Sequence, residues 1–136
     1  MEPTTARQML LAQHDRIRGH LADCSELARR ICDGEPVHAA LDAALDGLRH
    51  DFADHNQTET SLLRPLLARS SDCGKLLIDR MLEEHIAEHA VFWDMLAGTT
   101  EAIAARMYDL VDELDAHMAA EERTFLSPQV LRDARR

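Results

Sequence analysis

The sequence predicts an all-α protein, an antiparallel up-and-down four-helix bundle, over its 136 residues. Three observations predict it. Chain breaks are few and evenly spaced. The segments between them are rich in Ala, Leu, Glu and Arg, which lose little freedom in a helix, and poor in the β-branched residues that favour strands. Each segment also carries an apolar stripe at alternating steps of three and four, which sets the stripe on one helix face. Helices of this kind joined by short connections pack antiparallel, and residues 1–136 read as a single domain.

The first stripe is Leu10, His14, Ile17, Leu21, Cys24, Ala28, Ile31. Asp33-Gly34-Glu35-Pro36 ends it, and Pro36 suits the first turn of the next helix, where its missing N–H would be unpaired anyway. The second stripe is Leu41, Leu45, Leu48, Phe52, His55, Glu59, Leu62, Leu66. Pro65 is expected to kink or end that helix near its C-terminal end. After a break at Ser70-Ser71-Asp72-Cys73-Gly74, the third stripe is Ile78, Leu82, His85, His89, Phe92, Leu96. Gly98-Thr99-Thr100 separates it from the fourth: Ile103, Met107, Leu110, Leu114, His117, Glu121. Ser127-Pro128 closes the last segment.

Composition removes several classes of partner. Lys plus Arg is 15 and Asp plus Glu is 25, a net charge of −10. Such a chain repels phosphate backbones and anionic lipid, so neither nucleic acid nor membrane is an expected partner. No stretch approaches roughly 18 apolar residues, the length that spans a bilayer. Residues Met1 to Gln8 lack the basic and apolar regions of a signal peptide. Cys24, Cys32 and Cys73 form no CxxC pair and no even set, which predicts reduced thiols and a cytoplasmic location.

The informative residues are those that interrupt the stripes. His14, His55, Glu59, His85, His89, His117 and Glu121 are polar side chains on core faces. Counted from the Asp72 turn, Glu59 and His85 are each 13 residues away, and His55 and His89 each 17. His14 and His55 flank the first turn symmetrically. The groups therefore share one level of the bundle. The last turn fits less well: pairing His85 with Glu121 and His89 with His117 centres on residue 103, past the break. A longer loop or a helix offset of about 5 Å would absorb the difference.

A buried carboxylate needs compensating positive charge, and no Lys or Arg lies on these stripes. A metal centre supplies it. Five imidazoles and two carboxylates exceed one tetrahedral zinc and suit two transition ions. If both Glu bridge, the His must split three and two. One bridging oxo or hydroxo group then leaves one ion saturated and the other with an open position. Mixed N and O ligation favours two non-haem iron ions, with Mn and Zn also compatible. Off the stripes, His20 and His50 read as surface residues, and His38 as a helix-start residue. His85-Ile86-Ala87-Glu88-His89 fits the inverted zinc-protease pattern HxxEH but leaves the other polar core residues unexplained. The ferritin-like pattern needs two ExxH pairs on core faces, and the chain has only Glu35-x-x-His38 at a helix start. Trp93 and Tyr108 flank the stripes and read as packing residues, Cys24 as a small buried hydrophobe, and Met and Phe residues near the site as dry walls.

Taken in order, His14 in Leu11-Ala12-Gln13-His14-Asp15, His55-x3-Glu59 before Leu62-Leu63-Arg64-Pro65, His85-x3-His89, and His117-x3-Glu121-Glu122 before Phe125-Leu126-Ser127-Pro128 resemble the hemerythrin-like, or HHE cation-binding, domain over nearly the whole chain. The resemblance implies a four-helix bundle around a non-haem di-iron centre. It implies His85, His89 and His117 on one iron, His14 and His55 on the other, and Glu59 and Glu121 as bridges. Oxygen-carrying members end in His-x4-Asp, whereas this chain has His117-x3-Glu121 with Glu122 at the x4 position. The x3 form resembles the broader HHE group of sensors and stress proteins. Glu122 is the alternative bridge, but it lies about 100° off the stripe and is expected to behave as a surface residue. The expected function is to bind or sense a small diatomic ligand, O2 or NO, at the open iron position. The alternatives are a di-iron enzyme for peroxide (H2O2) or NO detoxification or oxygen activation, and a non-catalytic iron-sensing bundle acting through a partner.

Overall fold

The computed structural model describes residues 1–70 and 74–133. Its elements are α1 (Pro3–Cys32), α2 (His38–Ser70), α3 (Gly74–Met95), α4 (Thr100–Ala105) and α5 (Met107–Arg123). Helix α1 packs on α2 and α5, and α3 packs on the same two, so the four long helices form the sides of a square. Short connections between successive helices make neighbours antiparallel. The bundle expected from the stripes is the one observed. The turn expected at Ser70 to Gly74 falls on residues 71–73, outside the described residues, and Cys73 with it.

The first turn is fixed by backbone chemistry. Gly34 adopts φ of 91°, its N–H bonds the Ile31 carbonyl, and the Glu35 N–H reaches back to Arg30 at 2.9 Å. This double bond pattern satisfies carbonyls left open at the helix end and needs a residue in the left-handed region. Pro36 does not enter the first turn of α2. It precedes the helix, and the Val37 carbonyl accepts the first helical bond, from the Leu41 N–H.

Pro65 does not end α2, which continues to Ser70. It is exposed, so the missing N–H falls on the solvent side, while buried Leu63, Leu66 and Leu67 hold the last turns to the core. Burial here departs from the predicted stripes. Leu63 and Met81 are fully buried, and Leu62 and Leu82 only partly. The cause is a wall the stripes could not foresee: after α5 the chain folds back, placing Phe125, Leu126 and Leu131 against Ala6, Leu10, Leu63, Leu66, Leu67 and Met81. Arg7 ties this segment down through its Nε, which donates to the Leu126 carbonyl at 2.6 Å.

The predicted fourth helix is divided at Arg106, with φ of −96° and ψ of 1°. The stripe survives the division, since Ile103, Met107, Leu110, Leu114, His117 and Glu121 are all buried. Helix α4 is the offset that the residue count requires. It lies against α1 and α2, and the segment between α3 and α5 spans residues 96–106, centred close to the required 103. Thr99 caps α4 by accepting from the Ala102 N–H at 3.1 Å. Just past the end of α3, two guanidiniums take the backbone carbonyls, Arg49 on Leu96 at 2.7 Å and Arg106 on Ala97 at 2.5 Å.

Two apolar clusters result. One contains Ile17, Leu21, Leu45, Leu48, Phe52, Phe92, Leu110 and Leu114, and the other closes the opposite end around Leu10, Leu63 and Phe125. All seven polar stripe residues lie between them. Among the described residues, no helix is long and apolar enough to cross a membrane.

Two glycine substitutions test the backbone account. Gly34→Ala forces a Cβ into the left-handed region and should cost about 1–2 kcal/mol. Gly19 sits inside α1 with nothing within 4 Å of an added Cβ. Gly19→Ala should instead stabilise by about 0.5–1 kcal/mol. Urea denaturation of both variants, prepared free of metal, checks the opposite signs.

Candidate metal centre

The polar layer is built from helical spacing. His55 and Glu59 on α2, His85 and His89 on α3, and His117 and Glu121 on α5 are each four residues apart, which stacks both side chains of a pair on one face. Helix α1 supplies His14 alone. His14, His55, Glu59, His85, His117 and Glu121 are buried, and His89 is half-buried. Their donor atoms gather in two groups, His85 with His89 and His117, and His14 with His55, Glu59 and Glu121. Within each group the atoms lie within 4.8 Å of one another.

The carboxylates span the two groups. Glu59 Oε1 is 2.5 Å from His85 Nε2, and its Oε2 is 2.9 Å from His55 Nε2. Glu121 Oε1 is 2.8 Å from His117 Nε2 and 3.7 Å from His14 Nε2, while its Oε2 is 3.7 Å from His85 Nε2. Proximity here is not hydrogen bonding. Both oxygens of Glu59, Glu121 Oε2, His85 Nε2 and His89 Nε2 are buried with no hydrogen-bond partner. Buried polar atoms in native folds are nearly always satisfied, so five in one layer mark an arrangement completed by something else. A pair of cations fits: the atoms are all imidazole nitrogen or carboxylate oxygen, and each carboxylate reaches both groups.

Outside the layer, three ring nitrogens are held by acceptors. His14 Nδ1 bonds a Glu122 oxygen at 2.7 Å, His55 Nδ1 bonds Gln13 Oε1 at 2.7 Å, and His117 Nδ1 bonds the Glu88 carboxylate. A proton on each Nδ1 leaves Nε2 bare and facing inward, the tautomer a metal requires. Every one of these bonds crosses between helices. Aromatic rings wall the three-histidine group, with Phe52 at 5.1 Å from His89 and Phe92 at 5.5 Å from His117.

These acceptors are what sequence reasoning missed. Glu122 is not a surface residue: it is 27% exposed, bonds His14 and accepts from Arg18 at 2.9 Å. Its rotation off the stripe carries it past the core to the outer side of the neighbouring helix's histidine. Glu88, the carboxylate of the HxxEH pattern, is tied to the outer nitrogen of His117. The available signal was the rule that a ligating imidazole needs an acceptor behind it. Other expectations are also corrected. His20 is half-buried, paired with Asp51 at 2.6 Å and lying over Gly47, a position that its α1 face and the lack of a side chain on Gly47 allow. Tyr108 is 83% exposed and so is not a core packing residue, whereas Trp93 lies 5.5 Å from Phe52. As expected, His38 begins α2, where it pairs with Glu101, His50 is exposed, and Cys24 is buried with its thiol pushed up to about 11 by burial.

Electrostatics follow from this geometry. Burial opposes a proton on His85, but Glu121 and Glu59 outweigh it and hold its pKa up to about 10. Burial opposes one on His117 too, yet Glu121 and Glu88 raise it to about 9. His89 faces imidazoles rather than an adjoining carboxylate, and burial with His85 and His117 pushes it down to about 3. Burial opposes the charge of Glu121, but Glu59 and the imidazoles of His117, His14 and His85 beside it outweigh burial and hold it well below the usual carboxylate range.

The metal-free chain should therefore be most stable near neutral pH. A histidine raised in the folded state stabilises fully below its ordinary 6.5, and this contribution is lost as pH climbs through about 9 for His117 and 10 for His85. His89 acts oppositely: its contribution is present above 6.5 and is lost as pH falls toward about 3. Melting temperature of chelator-treated protein across pH 3 to 11 should show the maximum, and a monotonic profile would refute the charge assignment. A second expectation concerns the two adjacent carboxylates. Glu121→Ala should remove metal and lower the melting temperature, and Glu122→Ala should weaken metal binding by about 10–100-fold. Metal content after dialysis against graded chelator checks both.

No curated protein and no solved structure matches the chain. The family profile described as Hemerythrin HHE cation binding domain does, over residues 5–127. That span covers every member of the polar layer and all five helices apart from the first residues of α1. The chain belongs to the hemerythrin HHE cation-binding domain family.

Proposed function

We propose that the chain holds two non-haem iron ions and takes up a small diatomic ligand, O2 or NO, as a binding or sensing protein. His85, His89 and His117 serve one ion, His14 and His55 the other, and Glu59 and Glu121 bridge. The observation that carries this reading is the pair of buried carboxylates, each within reach of both histidine groups and with oxygens left unpartnered. Bound iron supplies reducing equivalents and a Lewis-acidic coordination position.

The chain's own residues do the rest. Glu122, Gln13 and Glu88 keep a proton on the outer nitrogens of His14, His55 and His117 and fix their ring planes. Phe52 and Phe92 keep water from the three-histidine side, and Leu10, Leu63 and Phe125 close the far end. Three histidines would hold one ion and two the other, so the His14 and His55 side would be the one to take a small ligand. A polar layer closed above and below by apolar clusters suits a small uncharged ligand better than an ionic substrate.

The test is iron analysis followed by ligand titration of anaerobically reduced protein. About two iron atoms per chain are expected, with a reversible change in the visible spectrum on adding O2 or NO. One tightly held zinc per chain would refute the di-iron assignment. Catalytic consumption of H2O2 with no reversible response to O2 or NO would replace binding with an enzyme.

A further inference from the structure

The two histidine groups differ in the charge behind their ligands. On the three-histidine side, His117 is backed by the Glu88 carboxylate, which has no cationic partner among the described residues. On the two-histidine side, His55 is backed by the neutral amide of Gln13. His14 is backed by Glu122, but Arg18 holds both oxygens of that carboxylate, at 3.0 and 2.9 Å. His117 thus faces a carboxylate with no basic side chain on it among the described residues, whereas His55 faces an amide and the carboxylate behind His14 is shared with Arg18, which also pairs with the exposed Asp15 at 3.3 Å.

An anionic acceptor draws the outer proton of an imidazole and makes its other nitrogen a stronger donor, whereas an amide or a neutralised carboxylate does so less. A stronger donor favours the ferric state. The smaller number of imidazoles on the second side acts in the same direction, since less donation there favours the ferrous state.

Resting on the di-iron reading above, the geometry points to Gln13 and Arg18 as positioning residues that make the His14 and His55 position the first to be reduced, with Glu88 holding the three-histidine position oxidised longer. The step is one electron from an external one-electron reductant, which is oxidised as one ferric ion becomes ferrous. No covalent bond within the protein forms or breaks.

The experiment is an anaerobic dithionite titration of the iron-loaded full chain with redox mediators, following two successive one-electron steps by visible absorbance and electron paramagnetic resonance. Gln13→Glu places a carboxylate behind His55 and should make the first step about tenfold less favourable, about 59 mV for one electron, leaving the second nearly unmoved. Arg18→Gln frees the charge of Glu122 and should move the first step in the same direction. Glu88→Gln should make the second step about tenfold more favourable. The opposite pattern, with Glu88→Gln moving the first step and Gln13→Glu the second, overturns the assignment, as does no movement in chains that keep two irons. Should an acceptor variant lose iron, Arg18→Gln decides alone, since Arg18 touches no candidate ligand: an unmoved first step overturns the inference. Failure of the di-iron reading shows separately, as an unmodified chain that never holds two irons.

Discussion

Glu59 and Glu121 place two carboxylates inside a helical bundle at 0% and 2% exposure, and among the described residues no Lys or Arg is paired with them. Left uncompensated, each would cost several kcal/mol of desolvation. Everything around them answers that constraint. Five imidazoles surround them, and in the metal-free chain His85 and His117 hold protons well above the ordinary histidine value to supply positive charge. Cations bound between the two histidine groups would supply it instead and would displace those protons, so metal binding and proton release are two answers to one electrostatic demand.

That demand shapes the packing. The polar layer is one level thick, with an apolar cluster on either side, so each helix changes from apolar to polar and back within about two turns. The helices are also tied around the layer: Gln13 links α1 to His55 on α2, Glu122 links α5 to His14 on α1, and Glu88 links α3 to His117 on α5. Glu59 and His85 close the remaining side between α2 and α3. The same contacts that aim the imidazoles therefore hold the four long helices in register. Changing an outer acceptor alters both the orientation of an imidazole and the seating of a helix.

The asymmetry of the two groups has a local origin. Gln13 precedes His14 in the chain yet serves His55, and Glu122 follows Glu121 yet serves His14. A helix turns about 100° per residue, so the neighbour of an inward ligand points sideways, toward the next helix. Which acceptor stands there, amide or carboxylate, is a one-residue choice with no effect on the core stripe. The core stripe can thus stay the same while the group behind each imidazole changes beside it.

The sequence by itself determined the class of fold and the membership of the polar layer. Both follow from periodicity: steps of three and four place His14, His55, Glu59, His85, His89, His117 and Glu121 on core faces, and symmetric counts about the turns place them at one depth. Only tertiary structure decided what lies across a gap between helices. The burial of Leu63 and Met81 in place of Leu62 and Leu82 depends on the chain folding back after α5. The division at Arg106 depends on α4 having to lie over α1 and α2 before α5 can start at the right depth. The roles of Gln13, Glu88, Glu122 and Arg18 depend on which helix stands beside which, information that a single-helix period does not contain.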